Sequence, residues 1–125
     1  MLNYGEPTIS KYQISKVLSI LKKKFITQGK EVERFEKSIS KKFKCKYCVV
    51  VSSGTAALHL AGKSLGWKKN DIVACTPITF VASCNSIIYN EAKPYFIDIN
   101  LKNNNLDIDK LEECLKKFLK EKKIN

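Results

Sequence analysis

Cys48-Val49-Val50-Val51-Ser52-Ser53-Gly54-Thr55-Ala56-Ala57-Leu58-His59 decides how this chain is read, because an apolar run passes directly into a helix through a small, hydroxyl-rich turn. The mostly β-branched residues 48–51 favour a strand, and Thr55-Ala56-Ala57-Leu58 opens an alanine-rich helix over residues 55–65. The first N–H groups of a helix lack intrahelical acceptors and carry the positive end of its dipole, so they attract an anion. Gly54 leaves the backbone open to close approach, and Ser53 and Thr55 add hydroxyl donors. The turn suits a phosphate, although Ser53 is equally a plain N-cap.

A second switch follows the same plan. Residues 71–75 read as a short strand, and Thr76-Pro77-Ile78-Thr79-Phe80-Val81-Ala82-Ser83 leads into a helix over 80–90. In open parallel sheets ligands gather at the carboxyl ends of the strands, which would place the phosphate turn and Phe80 at one crevice. Phe80 is a natural platform for a flat heteroaromatic ring, and also an ordinary core phenylalanine at a helix start.

The remaining elements extend this alternation. Amphipathic patterning predicts helices over 10–24, with Ile14, Val17, Leu18 and Leu21 on one face, and over 30–43, with Val32, Phe35, Ile39 and Phe43. A strand is expected over 93–97, a turn at 66–70, a polar loop over 100–105 and a last helix over 107–123 capped by Asp107. The order implies βαβ units and a parallel sheet, with a helical segment over 1–45 and an α/β region over 46–125.

The formal charge of +11 invites a nucleic-acid reading. Residues 1–50 carry twelve Lys and Arg against four acids, so the surplus sits on the two opening helices. A solvated helix face gives the same pattern, and no helix-turn-helix, zinc-finger or RNP-like motif accompanies it. Lysine supplies 22 of the 23 positive charges, whereas base-edge reading favours arginine. Cys45-Lys46-Tyr47-Cys48 is a lone Cys-x-x-Cys without a second ligand pair. Five cysteines, an odd number, fit free thiols in a reducing cytosol. Met1-Leu2-Asn3-Tyr4-Gly5-Glu6 has no signal-peptide core, and no apolar run approaches a membrane span, so a cytoplasmic protein is expected. His59, the single histidine, is a candidate general base or a packing residue one turn into the helix of the phosphate turn.

Three segments in order resemble the StrS/DegT-type sugar aminotransferases, pyridoxal-phosphate enzymes of the aspartate aminotransferase fold. They are Thr27-Gln28-Gly29-Lys30-Glu31-Val32-Glu33-Arg34-Phe35-Glu36, Ser53-Gly54-Thr55-Ala56-Ala57-Leu58-His59 and Thr76-Pro77-Ile78-Thr79-Phe80. Ala92-Lys93-Pro94-Tyr95-Phe96-Ile97-Asp98-Ile99 resembles the family's next strand, and Met1-Leu2-Asn3-Tyr4 resembles the opening of its pseudaminic-acid-type members. The resemblance implies the N-terminal part of a fold-type-I large domain, with three parallel-type strands and flanking helices. It implies pyridoxal 5'-phosphate as cofactor, with Gly54, Thr55 and Ala56 at its phosphate and Phe80 stacked on its pyridine ring. It further implies that Tyr4, Ile26, Thr27, Gln28 and Gly29 contribute to a nucleotide-sugar site.

By the same resemblance, an amino group, usually from glutamate, passes to a nucleotide-linked keto sugar for surface-polysaccharide or flagellin-glycan synthesis in a homodimer. The family's Schiff-base lysine and its acidic partner for the pyridinium nitrogen fall outside the matched segments. The expectation is therefore a fragment, a truncated or split frame, that does not transaminate alone. The other readings are a non-catalytic dimerisation module and a nonspecific binder of nucleic acid, whose affinity would fall steeply with salt.

Overall fold

Ser10 starts the first helix by reciprocal capping: its Oγ accepts from the Gln13 N–H at 3.3 Å, and the Gln13 Oε1 accepts from the Ser10 N–H at 2.6 Å. The computed structural model describes residues 5–27 and 29–121. Helix α1, Lys11–Leu21, stops short of the expected residue 24, with Lys22 as its C-cap and the Lys22 N–H bonded to the Leu18 carbonyl at 3.2 Å. Helix α2 spans Lys30–Phe43 as expected, with Glu31 and Glu33 at its positive end and Lys41 and Lys42 at its negative end. It ends on Lys44 in the left-handed region, φ 52°, and the Cys45 N–H returns to the Ser40 carbonyl at 3.0 Å.

The chain divides between Val50 and Val51 into two compact units. Within the first, Glu31 accepts from Lys23 and from Arg34, each at 2.8 Å. The expected strand over 48–51 is not formed. A strand exists through a ladder with a neighbour, and among the described residues this run has none. The Val50 N–H is instead taken by Glu36 Oε1 at 2.9 Å. Two strands rather than three therefore make up the described sheet.

The second unit holds helix α3 (Gly54–Ser64), strand β1 (Ile72–Cys75), helix α4 (Ala82–Tyr89), strand β2 (Lys93–Phe96) and helix α5 (Ile108–Lys120). The strands pair in parallel, Ile72 opposite Lys93 through Cys75 opposite Phe96, with α4 as the crossover. The core gathers Ala82, Ser86 and Ile87 of α4 with Ala92, Ile97, Ile99 and Phe118. The ring of Phe118 meets that of Tyr95 edge to face at 4.9 Å. Full burial of Ile87 alone contributes about 1.5–3 kcal/mol.

Gly62 lets the turn after α3 fold back. A Cβ there would lie 2.4 Å from Trp67 Cε3 and 2.6 Å from Asn90 Nδ2. Asn90, which caps α4, donates from Nδ2 to the carbonyls of Ser86 at 2.8 Å and His59 at 3.1 Å. This amide joins α4 to α3, and its buried Oδ1 has no partner among the described residues. Asp107 caps α5 as expected, its Oδ1 accepting from the Asp109 and Lys110 N–H groups at 3.1 Å each.

Candidate functional site

The first turn of α3 contains no acidic side chain, unlike those of α2 and α5, so its dipole is not offset locally. Ser53 is the N-cap. Its Oγ accepts from the Ala56 N–H at 3.1 Å, and its carbonyl accepts from the Ala57 N–H at 3.0 Å. The Gly54 and Thr55 N–H groups have no acceptor among the described residues. Both sequence readings of Ser53 are thus compatible: it caps one donor and leaves two for an anion. Ala56 stands beside those two with its own N–H occupied. A Cβ on Gly54 would meet nothing within 4 Å, so the space next to the two donors is open.

The second candidate lies where β1 ends. Residues 76–81 form a bent connection rather than the expected start of a helix at residue 80; α4 begins at Ala82. Pro77 cannot donate to a helical ladder, and the segment is held by its own hydroxyls. Thr76 Oγ1 donates to the Ile78 carbonyl at 3.2 Å, and the Thr79 and Ser83 hydroxyls lie 3.1 Å apart. Phe80 is 73% exposed on this segment and does not join the described core.

Parallel pairing fixes the edge at which the Phe80 segment lies. Helix α4 must run from the end of β1 back to the start of β2, so its C-terminus lies at the edge where strands begin. The C-terminal half of α3 adjoins it there, with the His59 ring 5.7 Å from that of Tyr89 and the Asn90 amide bonded to the His59 carbonyl. The Phe80 segment emerges at the opposite edge, where β1 ends. Half-buried against Tyr89, His59 serves packing in this structure.

The remaining candidates belong to the first unit. Ile26 and Gly29 line a cavity of about 420 Å³ between the end of α1 and the start of α2, with Ile20, Lys23, Phe25 and Val32. Thr27 lies in the same connection and is exposed. Tyr4 and Gln28 fall outside the described residues. The sequence reading missed the Thr79–Ser83 clasp and the Asn90 bridge. An i, i+4 hydroxyl pair beside a proline was a signal for the first; nothing local marked the second.

Residues 7–121 match the DegT/DnrJ/EryC1/StrS aminotransferase family. The chain belongs to that family. This family member is 38% identical over 117 residues to the UDP-4-amino-4,6-dideoxy-N-acetyl-beta-L-altrosamine transaminase of Campylobacter jejuni, a match covering 94% of the chain and 31% of that relative. It is 39% identical over 114 residues to the spore coat polysaccharide biosynthesis protein SpsC of Bacillus subtilis, covering 91% and 29%. Among solved structures, the PLP-form of the putative sugar aminotransferase Spr1654 from Streptococcus pneumoniae superposes with a TM-score of 0.84 at 29% identity, covering 90% of this chain and 29% of that one. PseC of Helicobacter pylori, an aminotransferase of pseudoaminic acid biosynthesis, superposes at 0.79 with 32% identity, covering 89% and 30%. The fold is thus that of the α/β fold-type-I aminotransferases. The chain spans under a third of the length of these relatives.

Proposed function

We propose that residues 46–125 are the partial cofactor-binding domain of a pyridoxal-phosphate-dependent aminotransferase that aminates a nucleotide-linked keto sugar for surface-polysaccharide or flagellin-glycan synthesis. The observation that carries the reading is the pair of free N–H donors on Gly54 and Thr55, opening on empty space at the start of α3. That donor set fits a phosphate monoester: two neutral N–H groups at a positive helix end hold a dianion in place. The Thr55 hydroxyl supplies a further donor, and Ala56 keeps the turn narrow. Phe80 covers one face of a flat ring and excludes water from it. Bound pyridoxal phosphate supplies a conjugated ring that withdraws electrons from bonds at the carbon bearing the exchanged nitrogen.

The substrate half rests on the first unit. Tyr4, Ile26, Thr27, Gln28 and Gly29 take the nucleotide sugar, a reading supported by the cavity at Ile26 and Gly29, which Lys23, Lys24, Lys30, Glu31 and Glu33 line together with apolar side chains. Glutamate serves as amino donor. The complete enzyme is a cytoplasmic homodimer, a reading supported by the solvent-facing stripe of Ile14, Val17, Leu18 and Leu21 on α1. Among the described residues no helix is long and apolar enough to cross a membrane.

Pyridoxine 5'-phosphate separates this function from surface chemistry, because it lacks the aldehyde that would label any of the 22 lysines. In amide-resolved NMR titration, the Gly54 and Thr55 N–H signals and the Phe80 ring should shift together and saturate. Shifts confined to lysine-bearing helix faces would refute the site.

A further inference from the structure

Cys75 is the last residue of β1, and Cys84 lies in the first turn of α4. Both are half-buried, and their Sγ atoms lie 3.6 Å apart with one thiol hydrogen-bonded to the other. Between them runs the 76–81 connection, held by the two hydroxyl contacts described above and exposing Ile78, Phe80 and Val81. We propose that Cys75 and Cys84 form an oxidisable dithiol whose disulfide clamps the Phe80-bearing connection between the end of β1 and the start of α4. The sulfurs are already in contact and need only approach to bonding distance, about 2.05 Å. The cross-link closes a short loop around 76–83 and removes the freedom of its two anchors to separate.

The chemistry balances with an external disulfide of the glutathione class. A deprotonated thiol of the pair attacks one sulfur of the reagent and expels the other half as a thiolate; the second cysteine then displaces the attached half. Two S–H bonds are lost, one S–S bond forms, and the reagent disulfide is reduced to two thiols. Burial, and then the hydrogen bond with Cys84, hold the Cys75 thiol up at about 11. Cys75 is therefore mostly protonated at neutral pH and attacks slowly there. Cys45 and Cys48 belong to the first unit and Cys114 to α5, so they are competing sites that a test must separate.

The test uses the full chain and a Cys45→Ser/Cys48→Ser/Cys114→Ser variant, each equilibrated with glutathione disulfide. Intact mass should fall by the two hydrogens of one disulfide in the variant, and digestion should give one peptide linking Cys75 to Cys84. Adding Cys84→Ser or, separately, Cys84→Ala should convert the product to a glutathione adduct on Cys75. Amide hydrogen exchange over 76–83 should slow at least about tenfold on oxidation, and recover with dithiothreitol. Persistent free thiols or adducts without the linked peptide would overturn the dithiol; a linked peptide with unchanged exchange would overturn the clamp. What the clamp does to the cofactor rests on the Phe80 reading, but mass and exchange do not, so the two fail separately.

Discussion

Gly62 and Gly54 carry opposite predictions although both lie on α3. At Gly62 an added methyl would collide with the Trp67 ring and the Asn90 amide, so Gly62→Ala should lower the unfolding free energy by about 1–3 kcal/mol in urea titration. At Gly54 the methyl would enter open space, so Gly54→Ala should leave the denaturation midpoint within about 0.5 kcal/mol while weakening pyridoxine phosphate binding. Glu91 follows α4 with φ 62°, where a side chain is strained, and the Ala92 N–H closes the turn on the Ile87 carbonyl at 3.1 Å. Glu91→Gly should therefore raise thermal stability, by about 0.5–1 kcal/mol. The Ser53-Gly54-Thr55 turn was legible because its residue types act locally. The left-handed Glu91 was not, since its sequence has neither Gly nor Asn at that position.

At the scale of elements, α5 is started by its Asp107 cap and tied to the strand pair by the Phe118–Tyr95 ring contact and the Lys110–Asp98 ion pair. Asp107→Ala removes two hydrogen bonds to the first turn and should cost about 0.5–2 kcal/mol, read as a lower melting temperature. Lys110 donates to Asp98 at 2.7 Å and, with the Ile99 N–H, holds the Asp98 carboxyl below its ordinary range; the same contact raises Lys110. A lowered carboxyl contributes stability above its unfolded pKa and loses it as pH falls through the folded value. The α5 contribution should thus be intact at neutral pH and fade on acidification below the ordinary carboxylate range. Asp98→Asn should flatten that acid limb in melts from pH 7 to 3. Helix periods were readable because amphipathic faces repeat every few residues. The strand expected over 48–51 did not form, because a ladder needs a partner that no local pattern names.

Across the whole molecule, large apolar side chains remain exposed in both units, among them Leu18 and Leu21 in the first and Phe80 and Leu101 in the second. Under the homodimer reading the α1 stripe is covered by a second copy. Leu18→Glu should then shift the sedimentation profile toward monomer without lowering the urea midpoint, since Leu18 is 51% exposed within its own chain. The net charge of +11 keeps such a chain soluble and opposes association, so added salt should favour the dimer. Sequence by itself determined the helix faces, the βαβ order, the capped turn at Ser53 and the family, because each depends on residue types at short fixed spacings. Only the tertiary structure decided that β1 and β2 pair in register, that Asn90 bridges α4 to α3, that Phe80 faces solvent and that Cys75 meets Cys84. Each depends on how separate elements pack, and packing, not local propensity, chooses between the alternatives.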